Sequence, residues 1–241
     1  MSGAIADPPN AITVPQALTS VQERRLTDYL DEKMLEIQRE YRKRQAHDCQ
    51  SYESKTSHYK FLVRNYEGSS LRTLSAYLTA IQPLLTIILM IPPIEASVHL
   101  RASLLLRLTG EILDCMPGYA PNSNLLELLE LLDKLDRGWL AVLRSQTWDV
   151  ASRRGVDLIL PSNTHLRSIP ISQTDRTRLR SLLLLGTNKL EQWLEDVPAF
   201  SPEEATGEAE ALNVLEVRQR FDDLFYNTLS EIGELRAPIF T

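Results

Sequence analysis

The sequence has little glycine and cysteine for its length. Only nine of its 241 residues are glycine, which argues against a turn-rich β sandwich and favours helices. Its two cysteines, Cys49 and Cys115, cannot form a disulfide framework, and we expect both thiols to be free in a reducing compartment. The composition therefore predicts an intracellular protein, nuclear or cytoplasmic.

Motifs that mark common catalytic and metal sites are also missing from the sequence. It has no glycine-rich phosphate loop, no G-x-S-x-G elbow, no H-E-x-x-H helix and no pair of C-x-x-C motifs. His47, Asp48 and Cys49 are adjacent, so on a helix their side chains would point in different directions. We predict no catalytic residue, no metal site and no cofactor, and we expect that the protein is not an enzyme.

Leucine and other apolar residues recur at spacings of three and four along most of the chain, which is typical of amphipathic helices. The first stripe follows a capping box that we place at Ser20 and Glu23. Further stripes predict helices over about 70–91, 94–116, 124–148, 173–196 and 208–235, the first of them kinked at Pro83. Two short apolar runs predict an extended segment or a hairpin near 156–171. The predicted fold is an all-α, irregular bundle of about six helices with one kinked central helix.

Proline content and charge divide the chain into segments. We predict a disordered leader over residues 1–16, a helical domain over 17–198, an acidic linker over 199–207, a C-terminal helix over 208–236 that packs on the same domain, and a tail over 237–241. Residues 201–241 carry nine acidic and three basic side chains, so their charge of -6 equals that of the whole chain.

One stretch of the second predicted helix is long enough to raise the question of a membrane span. Residues 73–94 contain no charged side chain. A span needs about 20 apolar residues. Thr73, Gln82, Pro83 and Thr86 interrupt the stretch, and Pro92 with Pro93 shortens it. We therefore favour a buried core helix and keep a membrane anchor as the less favoured alternative.

A basic stretch offers a second alternative function. Residues 39–64 contain seven basic and three acidic side chains, and such a surface can bind phosphates without a specific motif. A solvated charged helix face explains the same pattern. If the protein does contact nucleic acid, the predicted contacts are Arg39, Arg42, Lys43, Arg44, Lys60 and Arg64.

The favoured hypothesis is a non-enzymatic helical scaffold or adaptor subunit of an intracellular multiprotein complex. The leucine-rich faces exceed what one small core needs, and apolar stripes that stay unburied mark partner surfaces. The partner is expected to be a helical protein in a hetero-oligomer. The predicted anchors lie on the two terminal helices: Leu26, Leu30, Met34, Ile37, Phe221, Leu224 and Phe225.

Overall fold

The computed structural model describes residues 16–53, 69–95, 97–119, 125–159, 169–195 and 217–234, with side chains described up to Ala46 in the first range. The helices are α1 (Ser20–Glu53), α2 (Leu74–Leu89), α3 (Val98–Cys115), α4 (Leu125–Leu143), α5 (Gln173–Glu195) and α6 (Tyr226–Glu234), and the strands are β1 (Thr147–Asp149) and β2 (Arg154–Val156). The prediction of an all-α fold with about six helices is confirmed.

The start of α1 differs by one residue from the predicted capping box. Thr19 is the cap: its backbone N–H donates to Gln22 Oε1 at 2.9 Å, and the Gln22 N–H donates to Thr19 Oγ1 at 3.3 Å. Glu23, which we had assigned to the box, instead accepts a 2.7 Å hydrogen bond from Ser97 Oγ. Because Ser97 lies at the beginning of α3, this bond ties the first turns of α1 and α3 together.

The helices pack in two layers that run in opposite directions. α1, α3 and α5 are parallel in one layer, and α2, α4 and α6 are parallel in the other. Successive helices therefore form antiparallel pairs, α1–α2, α3–α4 and α5–α6, which stack side by side as in proteins built from helix pairs. In each parallel pair, residue numbers rise together along both helices. The contacts are Glu23–Ser97, Asp31–Arg107 and Gln38–Glu111 between α1 and α3; Gly110–Leu182 and Asp114–Lys189 between α3 and α5; Thr86–Lys134 and Leu89–Gly138 between α2 and α4; and Asp136–Thr228 and Arg144–Glu231 between α4 and α6.

Leucine stripes from all the helices meet in one core between the two layers. Trp139 is fully buried, and its indole N–H donates to Thr109 Oγ1 at 3.0 Å, so the largest core side chain keeps its polar group satisfied. The α2 stripe, with Leu74, Leu78, Ile81, Leu85 and Ile88, packs into this core, as the favoured interpretation of residues 73–94 predicted.

Pro83 lies inside α2 on its exposed side and does not end the helix. Because proline has no backbone N–H, the Thr79 carbonyl four residues earlier loses its helical hydrogen bond. Thr79 is also exposed, so water can hydrate this carbonyl. Within the described ranges, no helix combines the length and the apolar character needed to cross a membrane. The alternative of a span at 73–94 is therefore not supported, since α2 covers only 16 of those residues.

A hairpin is present, but it lies at 147–156 and not in the predicted range near 156–171. β1 and β2 pair in antiparallel register from Thr147–Val156 to Asp149–Arg154, so the hairpin follows α4 directly. The Asp149 carboxylate holds the turn by accepting from the backbone N–H groups of Ala151 and Ser152, each at 3.1 Å. The apolar runs that suggested strands over 156–171 thus fall after the hairpin, and residues 160–168 lie outside the described part.

The C-terminal region packs on α4 but is not one continuous helix. A helical segment at 217–222 is followed by a turn at 223–225, and Phe225 has a φ of 58° before α6 starts. The predicted single helix is interrupted because a left-handed residue cannot continue a right-handed helix. The remaining predicted segments, namely most of the leader, the acidic linker at 199–207 and the tail at 237–241, lie outside the described residues.

Candidate functional site

An open cleft of about 220 Å³ lies between α1 and α2. It opens on the flank of α1 opposite to Asp31 and Gln38, which contact α3. Among the described helices, none packs beyond α1 and α2 at this side, so the cleft lies at the α1–α2 end of the stack of helix pairs. The floor of the cleft is apolar and consists of Ile37, Leu71, Ala80 and Leu84. Its rim is polar and consists of Lys33, Glu36, Glu40 and Ser70.

Ionic and hydrogen bonds fix the rim of the cleft. Lys33 pairs with Glu36 at 2.8 Å, and Lys43 pairs with Glu40 at 2.6 Å. Glu40 also accepts from the Ser70 backbone N–H at 2.9 Å. The hydrogen bonds that Glu40 accepts from Lys43 and Ser70 lower the pKa of Glu40. The hydrogen bond that Lys33 donates to Glu36, together with the Glu36 charge, raises the pKa of Lys33. Both groups are driven further into their charged forms, so neither is tuned for proton transfer near neutral pH.

The solvent side of α2 continues this cleft as a surface without charge. The helix contains no charged residue over its 16 positions. Its exposed and half-buried side chains, which we call the charge-free face, are Ser75, Ala76, Thr79, Ala80, Gln82, Pro83, Thr86, Ile87 and Met90. Interface cores are depleted in charged residues compared with other protein surfaces, and this face shares that lack of charge.

Lys134 borders the charge-free face on the α4 side, and Arg153 lies near enough to Lys134 for its charge to act on it. Lys134 Nζ donates to Thr86 Oγ1 at 2.8 Å, and burial together with the nearby Arg153 charge lowers the pKa of Lys134. Neither cation takes part in any ion pair formed by the described residues. We call Lys134 and Arg153 the cationic border. Sequence reasoning missed both because each lies far from the basic stretch at 39–64.

The predicted partner anchors lie inside the fold instead of on its surface. Leu30 and Met34 of α1 are buried, as are Phe221 and Phe225 near the C-terminus. The remaining predicted anchors, Leu26, Ile37 and Leu224, are half-buried and pack against the same core. Of the seven, only Ile37 lines the cleft. The terminal helices use their apolar stripes to join the bundle, so these stripes do not form an exposed partner surface.

The predicted nucleic-acid contacts are only partly available on the surface. Arg39 and Arg42 are exposed. Lys43 is paired with Glu40, and the Arg44 guanidinium lies 4.1 Å from the centre of the Tyr119 ring, a cation–π arrangement. Lys60 and Arg64 lie outside the described residues. The structure therefore does not assemble the whole predicted patch, and nucleic-acid contact stays an untested hypothesis.

A cluster of three tyrosines with a cysteine lies where α1, α2 and the end of α3 meet. The rings of Tyr41, Tyr77 and Tyr119 are 5.6–6.4 Å apart, and Cys115 is buried beside Tyr77. Burial raises the pKa of all three phenols and raises that of the Cys115 thiol to about 11. A reactive cysteine needs a lowered pKa, so this cluster has the properties of a structural junction.

Arg101 is a second buried polar feature that the sequence did not reveal. Its guanidinium is almost fully buried on α3, donates from Nη1 to the Gln146 carbonyl at 2.7 Å, and faces no carboxylate in the described part of the chain. Burial lowers its pKa to about 10.

Groups that could hold a metal ion are absent from the part of the chain that the structure covers. The sequence-based expectation that there is no cofactor remains a prediction. Comparison of the chain with protein-family models, with curated protein sequences and with solved structures gives no match in any of the three.

Proposed function

We propose that this chain is a non-enzymatic helical interaction subunit that binds a partner protein at the α1–α2 end of its helix stack. The binding surface consists of the α1–α2 cleft and the adjoining charge-free face. Sequence reasoning led to the same class of function, but it placed the contact on stripes that are buried. Of the predicted anchors, the proposed surface includes only Ile37.

The observation that carries the proposal is the position of an apolar-floored cleft beside a helix face without charge. On the inner side of the α1–α2 pair, α3 packs against both helices. On the outer side, no helix among the described residues packs over the cleft, whose floor is made of the half-buried Ile37 and Ala80 above the buried Leu71 and Leu84. A surface of this kind is suited to bury the apolar edge of another protein.

The test compares two tryptophan substitutions at exposed hydroxyl residues in helix interiors. Thr79→Trp places a bulky neutral ring on the charge-free face, and Ser181→Trp places the same ring on the exposed side of α5. Tagged full-length protein of each kind is purified from cells of its source, and copurifying proteins are quantified by mass spectrometry. Circular dichroism and thermal unfolding establish that both variants are folded.

We expect at least one partner to be depleted at least tenfold by Thr79→Trp and to be retained by Ser181→Trp. Equal recovery of every copurifying protein with the wild type and with Thr79→Trp would contradict the proposal. Equal losses in both variants would also contradict it, because the effect would then not depend on the cleft end of the stack.

A further inference from the structure

We infer that the partner segment is an amphipathic helix whose polar edge beside α4 is acidic. This inference rests on the proposed function, since it specifies the chemistry of the segment that the cleft and the charge-free face receive. It concerns the cationic border, Lys134 and Arg153, which the proposed function does not use.

The shape of the surface favours a helix as the occupant. The charge-free face extends along the whole of α2, which is about 24 Å at 1.5 Å per residue. The cleft beside it is bounded by two antiparallel helices. On the inner side of the same pair, the position across α1 and α2 is filled by a helix, α3. A partner helix in the cleft would repeat this packing and extend the stack by one element.

The positive charge of the cationic border specifies the charge of the facing polar edge on the partner helix. The α1 side of the cleft is internally neutralised, because Lys33 and Lys43 pair with Glu36 and Glu40. On the α4 side, the Thr86 hydroxyl is the one hydrogen-bond partner that Lys134 has among the described residues, and the positive charge of Arg153 acts on Lys134 unfavourably. Carboxylates on a partner at this edge would offset that repulsion, whereas basic side chains would add to it.

The same observations disfavour a second copy of this chain and a nucleic acid. α2 has no carboxylate that could reach the cationic border of a copy. A nucleic acid presents phosphates along its length, whereas the charge-free face between cleft and border offers apolar and neutral side chains. We treat both occupants as outcomes of the test.

The experiment uses a photoreactive benzoylphenylalanine at Gln82, an exposed position on the charge-free face. The full chain carrying this probe is irradiated in cells of its source, and the crosslinked peptide is sequenced by mass spectrometry. A parallel sample carries the probe at Asn188, exposed on α5. The crosslink is then measured for Lys134→Glu/Arg153→Glu and for Lys134→Gln/Arg153→Gln, with Arg178→Glu/Arg180→Glu on α5 as the matched control.

The expected crosslink joins Gln82 to a segment with apolar residues at three- and four-residue spacing and a net negative charge. Its yield should fall at least tenfold on charge reversal, about threefold on neutralisation, and remain unchanged in the α5 control. A crosslink to a basic or neutral segment, to a second copy, or to nucleic acid overturns the inference. If Gln82 crosslinks no more than Asn188 does, the proposed function itself fails; a strong crosslink to a segment that is not acidic removes only the inference.

Discussion

The attachment of α6 to the body of the protein depends on one buried carboxylate. Asp136 of α4 is 5% exposed and accepts from the Thr228 backbone N–H at 3.1 Å, from the Thr228 hydroxyl at 2.5 Å and from Asn227 Nδ2 at 3.0 Å. It acts as the N-cap of a helix more than ninety positions away in sequence. We predict that Asp136→Ala lowers the free energy of unfolding, because it removes the acceptor of the buried Thr228 N–H and of the Asn227 side chain.

The magnitude follows from the groups involved. Loss of an N-cap costs about 1 kcal/mol, and a buried donor without an acceptor costs about 1–3 kcal/mol. Asn227 is exposed, and the Thr228 hydroxyl can still donate to the Asp136 backbone carbonyl at 3.2 Å, so we count the cap on the buried Thr228 N–H alone and expect a loss of about 2 kcal/mol. Asp136→Asn keeps one carbonyl acceptor at the same place, so its loss should be about half as large.

Urea unfolding followed by tryptophan fluorescence gives the free energies, since Trp139 is buried three residues from Asp136. Native-state hydrogen exchange should show reduced protection in α6 and little change in α3. A loss below about 0.5 kcal/mol for Asp136→Ala, or unchanged exchange in α6, would refute the argument that this carboxylate anchors the helix, because surface substitutions typically fall within that range.

Three further predictions concern packing, a buried charge and a buried thiol. A Cβ at Gly186 would clash with the Leu113 side chain, whereas one at Gly110 would lie at an ordinary contact distance of 3.7 Å from Leu182 Cδ1. Gly186→Ala should therefore destabilise the protein by about 1–3 kcal/mol, whereas Gly110→Ala should stabilise it by about 0.5–1 kcal/mol. If the urea midpoints of the two variants shift in the same direction relative to the wild type, this prediction is wrong. Arg101→Met removes a buried guanidinium that has a single hydrogen bond, and we expect thermal unfolding to show a gain of about 1–2 kcal/mol; a lower melting temperature would count against it. Because the pKa of the Cys115 thiol is raised from 9.0 to about 11, its contribution to stability is complete below pH 9 and is lost as the pH rises towards 11. Urea midpoints measured between pH 8 and 11 should fall less steeply for Cys115→Ala than for the wild type, and equal slopes would contradict the assignment.

Local patterns predicted the helices well where side chains face a single core. The stripe of α1, with Leu30 and Met34, is buried as its period of three to four requires. α5 begins at Gln173 as predicted and ends at Glu195, one residue earlier. Helix periodicity identifies the apolar side of a helix because burial acts on every turn of that side.

Ends and turns were less accessible to sequence reasoning. The α1 cap is Thr19 and not Ser20, and the side chain of Glu23 accepts a hydrogen bond from Ser97 at the start of α3, a contact that no local pattern reports. The break before α6 occurs at Phe225, a residue type that rarely adopts a positive φ. Such conformations persist only when the surrounding packing favours them, and no local pattern reports that packing.

The sequence by itself determined that the chain is helical, which side of each long helix is apolar and that α2 carries no charge, since these properties depend on residue type and spacing along one segment. Only the tertiary structure decided which apolar helix sides are buried in the core and which surfaces stay accessible to solvent. Leu30 and Phe221 are consumed by packing, whereas the α1–α2 cleft and the cationic border formed by Lys134 and Arg153 exist only because separate segments meet there. The physical reason is that helix period is local, whereas burial depends on neighbours supplied by distant parts of the chain.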